Sequence, residues 1–166
     1  MFINKYIFLI LLSLIILPSV GLSTEKDERL GVGTTNQLAT DLPAISIKLQ
    51  KSPSLAVGAL FGFDTSENTG GWGAGLKFYR NFIDESQLTF YGSMLAALLN
   101  KKNVSSSGDS KTGFQLDLTM GTEFHFSGLE SLGFSFEFGL SFEKINDFVV
   151  KTVGHSFLTA GVHFYF

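Results

Sequence analysis

The sequence predicts an all-β protein, an eight-stranded antiparallel up-and-down transmembrane β-barrel preceded by a cleavable signal peptide. Three observations predict it. Phenylalanine and glycine each occur 18 times among 166 residues, against only 3 prolines. Apolar side chains recur at every second position through most of the chain, the period of a strand with one greasy face. The connections between those stretches alternate between long and short.

Residues 1–23 read as the signal peptide. Asn4 and Lys5 make a short, weakly basic start, an apolar run from Tyr6 to Leu17 is broken only by Ser13, and Pro18 leads into Ser19, Gly21 and Ser23. That is the three-part layout of an export signal, with cleavage after Gly21 or Ser23. The run is shorter than the ~20 residues a membrane-spanning helix needs. Residues 24–166 are then the barrel domain. The chain has no cysteine, which excludes disulfides, thiolate metal sites and a lipoprotein anchor. Twelve basic residues against 15 acidic leave a net charge of −3, and no basic patch suggests nucleic acid.

The strands follow in order. A weak first one lies near 29–36, around Leu30-Gly31-Val32-Gly33. Near 44–50, Ile45, Ile47 and Leu49 alternate with Ser46, Lys48 and Gln50. Near 54–63, Leu55, Val57, Ala59, Phe61 and Phe63 alternate with Ala56, Gly58, Leu60 and Gly62. Near 71–80, Trp72, Ala74, Leu76 and Phe78 alternate with Gly73, Gly75, Lys77 and Tyr79. The stretch near 87–99 carries Leu88, Phe90, Met94 and Leu98 outward, but Leu95-Ala96-Ala97-Leu98-Leu99 is apolar on both faces. Near 113–126, Phe114, Leu116, Leu118, Met120, Phe124 and Phe126 share the outer face, opposite Gln115, Asp117, Thr119, Gly121, Glu123 and His125. Near 132–144, Phe134, Phe136, Phe138, Leu140 and Phe142 face away from Ser135, Glu137, Gly139, Ser141 and Glu143. A helix would scatter those phenylalanines around its axis. The last strand, near 154–166, carries Leu158, Ala160, Val162, Phe164 and Phe166 outward.

The connections 36–43, 64–70, 100–112 and 145–152 form the longer set, and 51–53, 81–86 and 127–131 the shorter. Transmembrane barrels have even strand numbers, long outer loops and short periplasmic turns, so both termini are expected on the periplasmic side. The longest loop, 100–112, holds Ser105-Ser106-Ser107-Gly108-Asp109 and is where an external ligand would bind. Lipid offers a stray amide no partner, so the sheet must close. Closure leaves no edge to pair, and a monomer is expected.

Signal peptide, eight alternating strands, loop asymmetry and a terminal Phe166 two residues after Phe164 resemble the small outer-membrane β-barrel superfamily, the OmpA-type transmembrane domain and the OmpX/Ail-type proteins. No residue-level motif singles out one member. The resemblance implies the bacterial outer membrane as location, with outer-membrane lipid and lipopolysaccharide as surroundings. It implies recognition of the C-terminal strand by the barrel-assembly machinery, with Phe164 and Phe166 as the sorting signal. It implies a structural, envelope-integrity role or loop-mediated interaction. Because the chain ends at Phe166, the peptidoglycan-binding domain of the OmpA type is not expected. Neither is a cofactor or a metal.

An eight-stranded barrel has an interior only wide enough for its own side chains. Lys48, Lys77, Glu123 and Glu137 share the inward parity, and the strand limits above put all four in the lower, periplasmic half, with His125 and His163 near. The expectation is an ion-pair network that plugs the lumen. A gate on a narrow, porin-like conductance is the alternative. Trp72, Tyr91, Phe164 and Phe166 are candidates for the aromatic girdles, although Tyr91 has lumen parity. Glu123, His125, Ser127 and Glu137 contain the parts of an esterase set, and the H-x-S spacing resembles that of outer-membrane lipid A deacylases. Glu123 and His125 face the lumen, however, so no lipid-modifying enzyme is expected. Adjacent His155 and Ser156 point to opposite faces. Asp64, Glu67 and Asp109 read as solvated loop acids before they read as sites for divalent cations between lipopolysaccharides. A soluble ligand-carrying barrel would need the phenylalanine stripes inside.

Overall fold

Alternating side chains and glycine-rich inner faces produce a sheet that rolls up and closes. The computed structural model describes residues 28–39, 43–66, 70–102, 110–145, 147–154 and 158–166, so the expected signal peptide lies outside the described residues. The strands are β1 (Leu30–Thr35), β2 (Ala44–Ser52), β3 (Leu55–Asp64), β4 (Gly71–Asp84), β5 (Leu88–Lys102), β6 (Ser110–Phe126), β7 (Leu129–Lys144), β8 (Phe148–Thr152) and β9 (Thr159–Tyr165). From β1 to β7 each strand pairs antiparallel with the next. β9 then pairs with β7 on one side and β1 on the other. The seam is closed at its end by Phe166 N–H donating to the Leu30 carbonyl at 2.9 Å.

β8 and β9 both pair with β7, one above the other, at Leu140–Lys144 and Leu132–Glu137 respectively. They are two halves of one barrel position, and the barrel has eight positions. This corrects the expected single strand at 154–166 and the expected loop at 145–152. Phe148 and Val150 continue the outward stripe beside Phe142, whose ring centroid lies 6.5 Å from that of Phe148. The strand breaks after Thr152, where Gly154 takes a φ of +78°, open to glycine at no steric cost. Val153 N–H still donates to the Gly139 carbonyl at 3.0 Å.

Other boundaries also move. β4 runs on to Asp84 through a bulge between Asn81 and Ile83, so the turn shrinks to 85–87. β7 starts at Leu129, after a tight turn in which Gly128 has a φ of +84°. The ladder Lys102↔Ser110 extends β5 and β6 into the 100–112 loop; residues 103–109 lie outside the described residues.

The exterior is apolar. Phe63, Leu76 and Leu98 are each about 60% exposed (63%, 60% and 57%), and Phe126, Leu129 and Phe164 are similarly bare. A closed sheet with such a face is one of the two architectures that can cross hydrocarbon. The interior is polar at the end where Leu30 and Phe166 lie, called here the terminal end. Toward the opposite, loop end it is apolar beside β3 and β5, with Leu60, Leu95 and Leu99, and polar beside β6 and β7, with Gln115, Asp117, Ser141 and Glu143.

Candidate functional site

The four charged candidates Lys48, Lys77, Glu123 and Glu137 are buried inside the barrel, and the interior is built in layers. At the terminal end Lys48 on β2 reaches Glu123 on β6, with Nζ 3.0 Å from Oε2. Glu123 also accepts from the Tyr165 hydroxyl at 2.8 and 2.9 Å. His125 Nε2 lies 3.2 Å from Glu123 Oε1, and its Nδ1 lies 3.1 Å from the Glu130 carbonyl. His163 Nε2 lies 2.9 Å from Ser46 Oγ instead.

The next layer is at mid-height. Lys77 on β4 places Nζ 2.6 and 2.7 Å from the two carboxylate oxygens of Glu137 on β7. Glu137 accepts further bonds from the Tyr91 hydroxyl and Thr119, both at 2.8 Å. All four ionic side chains are fully enclosed. Buried ions need this many partners because desolvation costs several kcal/mol per ion. Tyr79 lies between the layers, its ring 4.8 Å from Lys48 Nζ and 4.9 Å from Lys77 Nζ. Its ring meets Tyr91 edge-on at 5.4 Å.

The structure thus separates the four charges into two pairs at different heights. Lys77 and Glu137 are not in the lower half expected of them, because β4 and β7 both extend further toward the terminal end than their alternation indicates. Tyr91 is fully buried and is not a girdle residue; its parity decides over its type. Trp72, Phe164 and Phe166 are on the outer surface.

Above the charges comes a layer that alternation along the strands does not reveal. After β1 residues 36–39 turn into the barrel mouth. Gln37 and Leu38 are 1% and 2% exposed. Gln37 Oε1 accepts from Lys77 Nζ at 2.5 Å, and Gln37 Nε2 donates to Asp117 Oδ2 at 3.1 Å. Gln115 grips the same turn from β6, donating to the Gln37 carbonyl at 3.0 Å and accepting from Ala39 N–H at 2.9 Å. Leu38 packs with Ala44, Leu60, Leu95, Ala97 and Leu99. Gly73 leaves room for it, since a Cβ there would lie 2.9 Å from Leu38 Cδ1. Part of the signal was present in the sequence: inward Leu95, Ala97 and Leu99 beside inward glycines form an apolar hollow, which Leu38 fills, with Ala39 and Ile145 packed against the same cluster.

The esterase parts do not assemble. Both His125 ring nitrogens already have partners, Glu137 belongs to Lys77, and Ser127 is exposed in the turn where it accepts from the Gln87 amide. Asp64 Oδ1 accepts from Ser66 N–H and hydroxyl at 2.8 and 2.6 Å. Glu67, Asp109, His155 and Ser156 lie outside the described residues. Among the described residues no group of His, Asp and Glu is arranged to hold a metal.

A closed barrel with an oily outside and a hydrogen-bonded, ion-paired inside defines the architecture of the small transmembrane barrels. Within that class the fold is similar to the N-terminal β-barrel domain of Pseudomonas aeruginosa OprF, with a TM-score of 0.65 at 17% identity, covering 84% of this chain and 98% of that one. It is similar also to Neisserial surface protein A, with a TM-score of 0.51 at 16% identity over 83% of this chain and 94% of that one. At these identities the likeness is one of fold. No protein-family model and no curated protein sequence matches the chain.

Proposed function

We propose that this chain is an integral outer-membrane barrel, non-enzymatic and closed to solute flow, that reinforces the envelope and presents its loop end to external partners. The filled lumen carries this reading. Among the described residues, the cavities at the two ends of the interior hold about 10 Å³ each, room for about one water. Lys77, Glu137, Gln37 and Asp117 form a continuous bonded layer across it. The apolar exterior supports placement in lipid, and the fold supports the outer membrane because closed barrels of this size are built there. Lipopolysaccharide as neighbour, delivery by the assembly machinery through the strand bearing Phe164 and Phe166, and a ligand at residues 100–112 belong to the same proposal.

The test is fractionation of cells followed by planar-bilayer recording of the purified barrel. The expected result is a heat-modifiable band in the outer-membrane fraction and no discrete conductance steps. Steps abolished by plugging variants of Leu38 would favour the channel alternative. A lipid A profile altered by deletion of the gene would favour the enzyme.

A further inference from the structure

The apolar wall of the barrel is not uniform. On the outer face of β3, β4 and β5 three alanines, Ala59, Ala74 and Ala96, lie between larger neighbours and leave a groove of about 670 Å³. Leu76 pairs across the ladder with both Ala59 and Ala96, and Leu98 and Phe114 border the groove toward the loop end. A void of this size in a lipid-facing wall forfeits dispersion contacts unless a chain lies in it.

The second observation is charge. Lys144 on β7 is the direct cross-strand partner of Phe114, and Lys102 continues the outward face of β5 four residues beyond Leu98, ~13 Å at the usual strand rise. Behind them Lys101 and Lys111 are directly opposite each other on the ladder, where like charges are destabilising. The acids at hand are few. Asp64 lies within electrostatic reach of Lys102, and Glu143 is taken by Lys151 at 2.9 Å. Among the described residues, four lysines at the mouth of an apolar groove thus face two acids, Asp64 and, three residues after Lys144 in the β7–β8 turn, Asp147.

We propose that this wall holds one phosphorylated acyl lipid, with a chain in the Ala59–Ala74–Ala96 groove and its phosphate on Lys102 and Lys144. The row Trp72, Asn100 and Thr112, paired side by side on the ladder, marks the level where tail gives way to headgroup. Asn100 Nδ2 donates to Thr112 Oγ1 at 2.9 Å and keeps that level polar. Lys101 and Lys111 add to the field that draws the phosphate, as basic residues near a membrane surface do for anionic lipids.

The inference rests on the membrane placement proposed above. Its test is native mass spectrometry of the folded protein released from detergent after incubation with dioleoyl phosphatidic acid, with dioleoylglycerol and inorganic phosphate as separate arms. Folding into phosphatidylcholine vesicles is scored first, by the gel heat shift, for every variant. The expected result is one retained phosphatidic acid, and no retention of dioleoylglycerol or free phosphate. Ala96→Phe, which fills the groove with an apolar side chain, and Lys102→Gln with Lys144→Gln each lower occupancy about tenfold or more. Lys51→Gln, at the terminal end, leaves it unchanged. Equal retention by the folded Ala96→Phe variant, equal retention of dioleoylglycerol, or barrel dimers that Ala96→Phe dissolves would each overturn the site. Failure of the unaltered chain to enter vesicles at all would remove the membrane placement and this inference together.

Discussion

Replacing Glu137 with glutamine tests how much the mid-height ion pair matters. The change keeps the shape and removes the charge. Lys77 Nζ then loses the carboxylate charge and one of its two oxygen contacts at 2.6 and 2.7 Å, and keeps a neutral amide oxygen, Gln37 Oε1 and the Tyr79 ring. Tyr91 and Thr119 lose a charged acceptor as well. Breaking an enclosed pair from one side costs about 3–5 kcal/mol, because the remaining ion stays desolvated. With a urea slope of about 2 kcal/mol per molar, the midpoint falls by about 2 M. The assay is urea titration of residues 24–166 in phosphatidylcholine vesicles, followed by the fluorescence of Trp72, the one tryptophan, and by the gel heat shift. The pair Lys151–Glu143 is the control. Lys151 is 42% exposed, so removing the pair from that side with Lys151→Gln costs about 1 kcal/mol or less. The double variant Lys77→Met with Glu137→Met removes both charges and recovers most of the loss, since apolar replacements of a buried pair are often neutral. A loss below about 1 kcal/mol for Glu137→Gln, or a double variant as weak as the single, refutes the reasoning that the lumen is held by mutual desolvated charges.

Three further outcomes are expected. Leu38→Ala opens a cavity between Leu60, Leu95 and Leu99 and costs about 2–4 kcal/mol, read as a lower urea midpoint in the same vesicles. Gly33→Val prevents closure at the β1–β9 seam, because even a Cβ at Gly33 would lie 1.7 Å from the Val162 carbonyl oxygen; the gel shift of the folded barrel disappears, and a normal folded band would show that the seam has slack. Leu76→Arg places a charge on a side chain that is 60% exposed to the outside and costs about 2–4 kcal/mol if that position is near mid-bilayer, whereas loss in vesicles no larger than in detergent would argue against lipid contact there.

How far the fold can be read from the chain varies along it. The stripe Phe134, Phe136, Phe138, Leu140 and Phe142 leaves no doubt about β7 or its outward face, because the pleat of a strand sends alternate side chains to opposite sides whatever surrounds it. Tyr91 shows the same rule acting against residue type: its parity puts it in the lumen, and there its hydroxyl serves Glu137. Boundaries are harder. Phe148-Val149-Val150 is apolar on both faces, so alternation cannot tell a strand continuing β7's hairpin from a loop. The stretch 36–43 mixes polar and apolar residues without a period, and the hollow lined by Leu60, Leu95 and Leu99 is what draws Leu38 inward.

The chain by itself determined that strands form, which side of each is oily and that the sheet must close. These follow from local backbone geometry and from the cost of an unpaired amide in hydrocarbon. It also determined that Lys48, Lys77, Glu123 and Glu137 point inward. Which lysine meets which carboxylate, at what height, and that Gln37 spans from Lys77 to Asp117 were decided only by the tertiary structure. The reason is that partners across a lumen come from strands far apart in sequence. Their relative heights depend on ladder register and strand ends summed around the whole circuit, and no local pattern carries that sum.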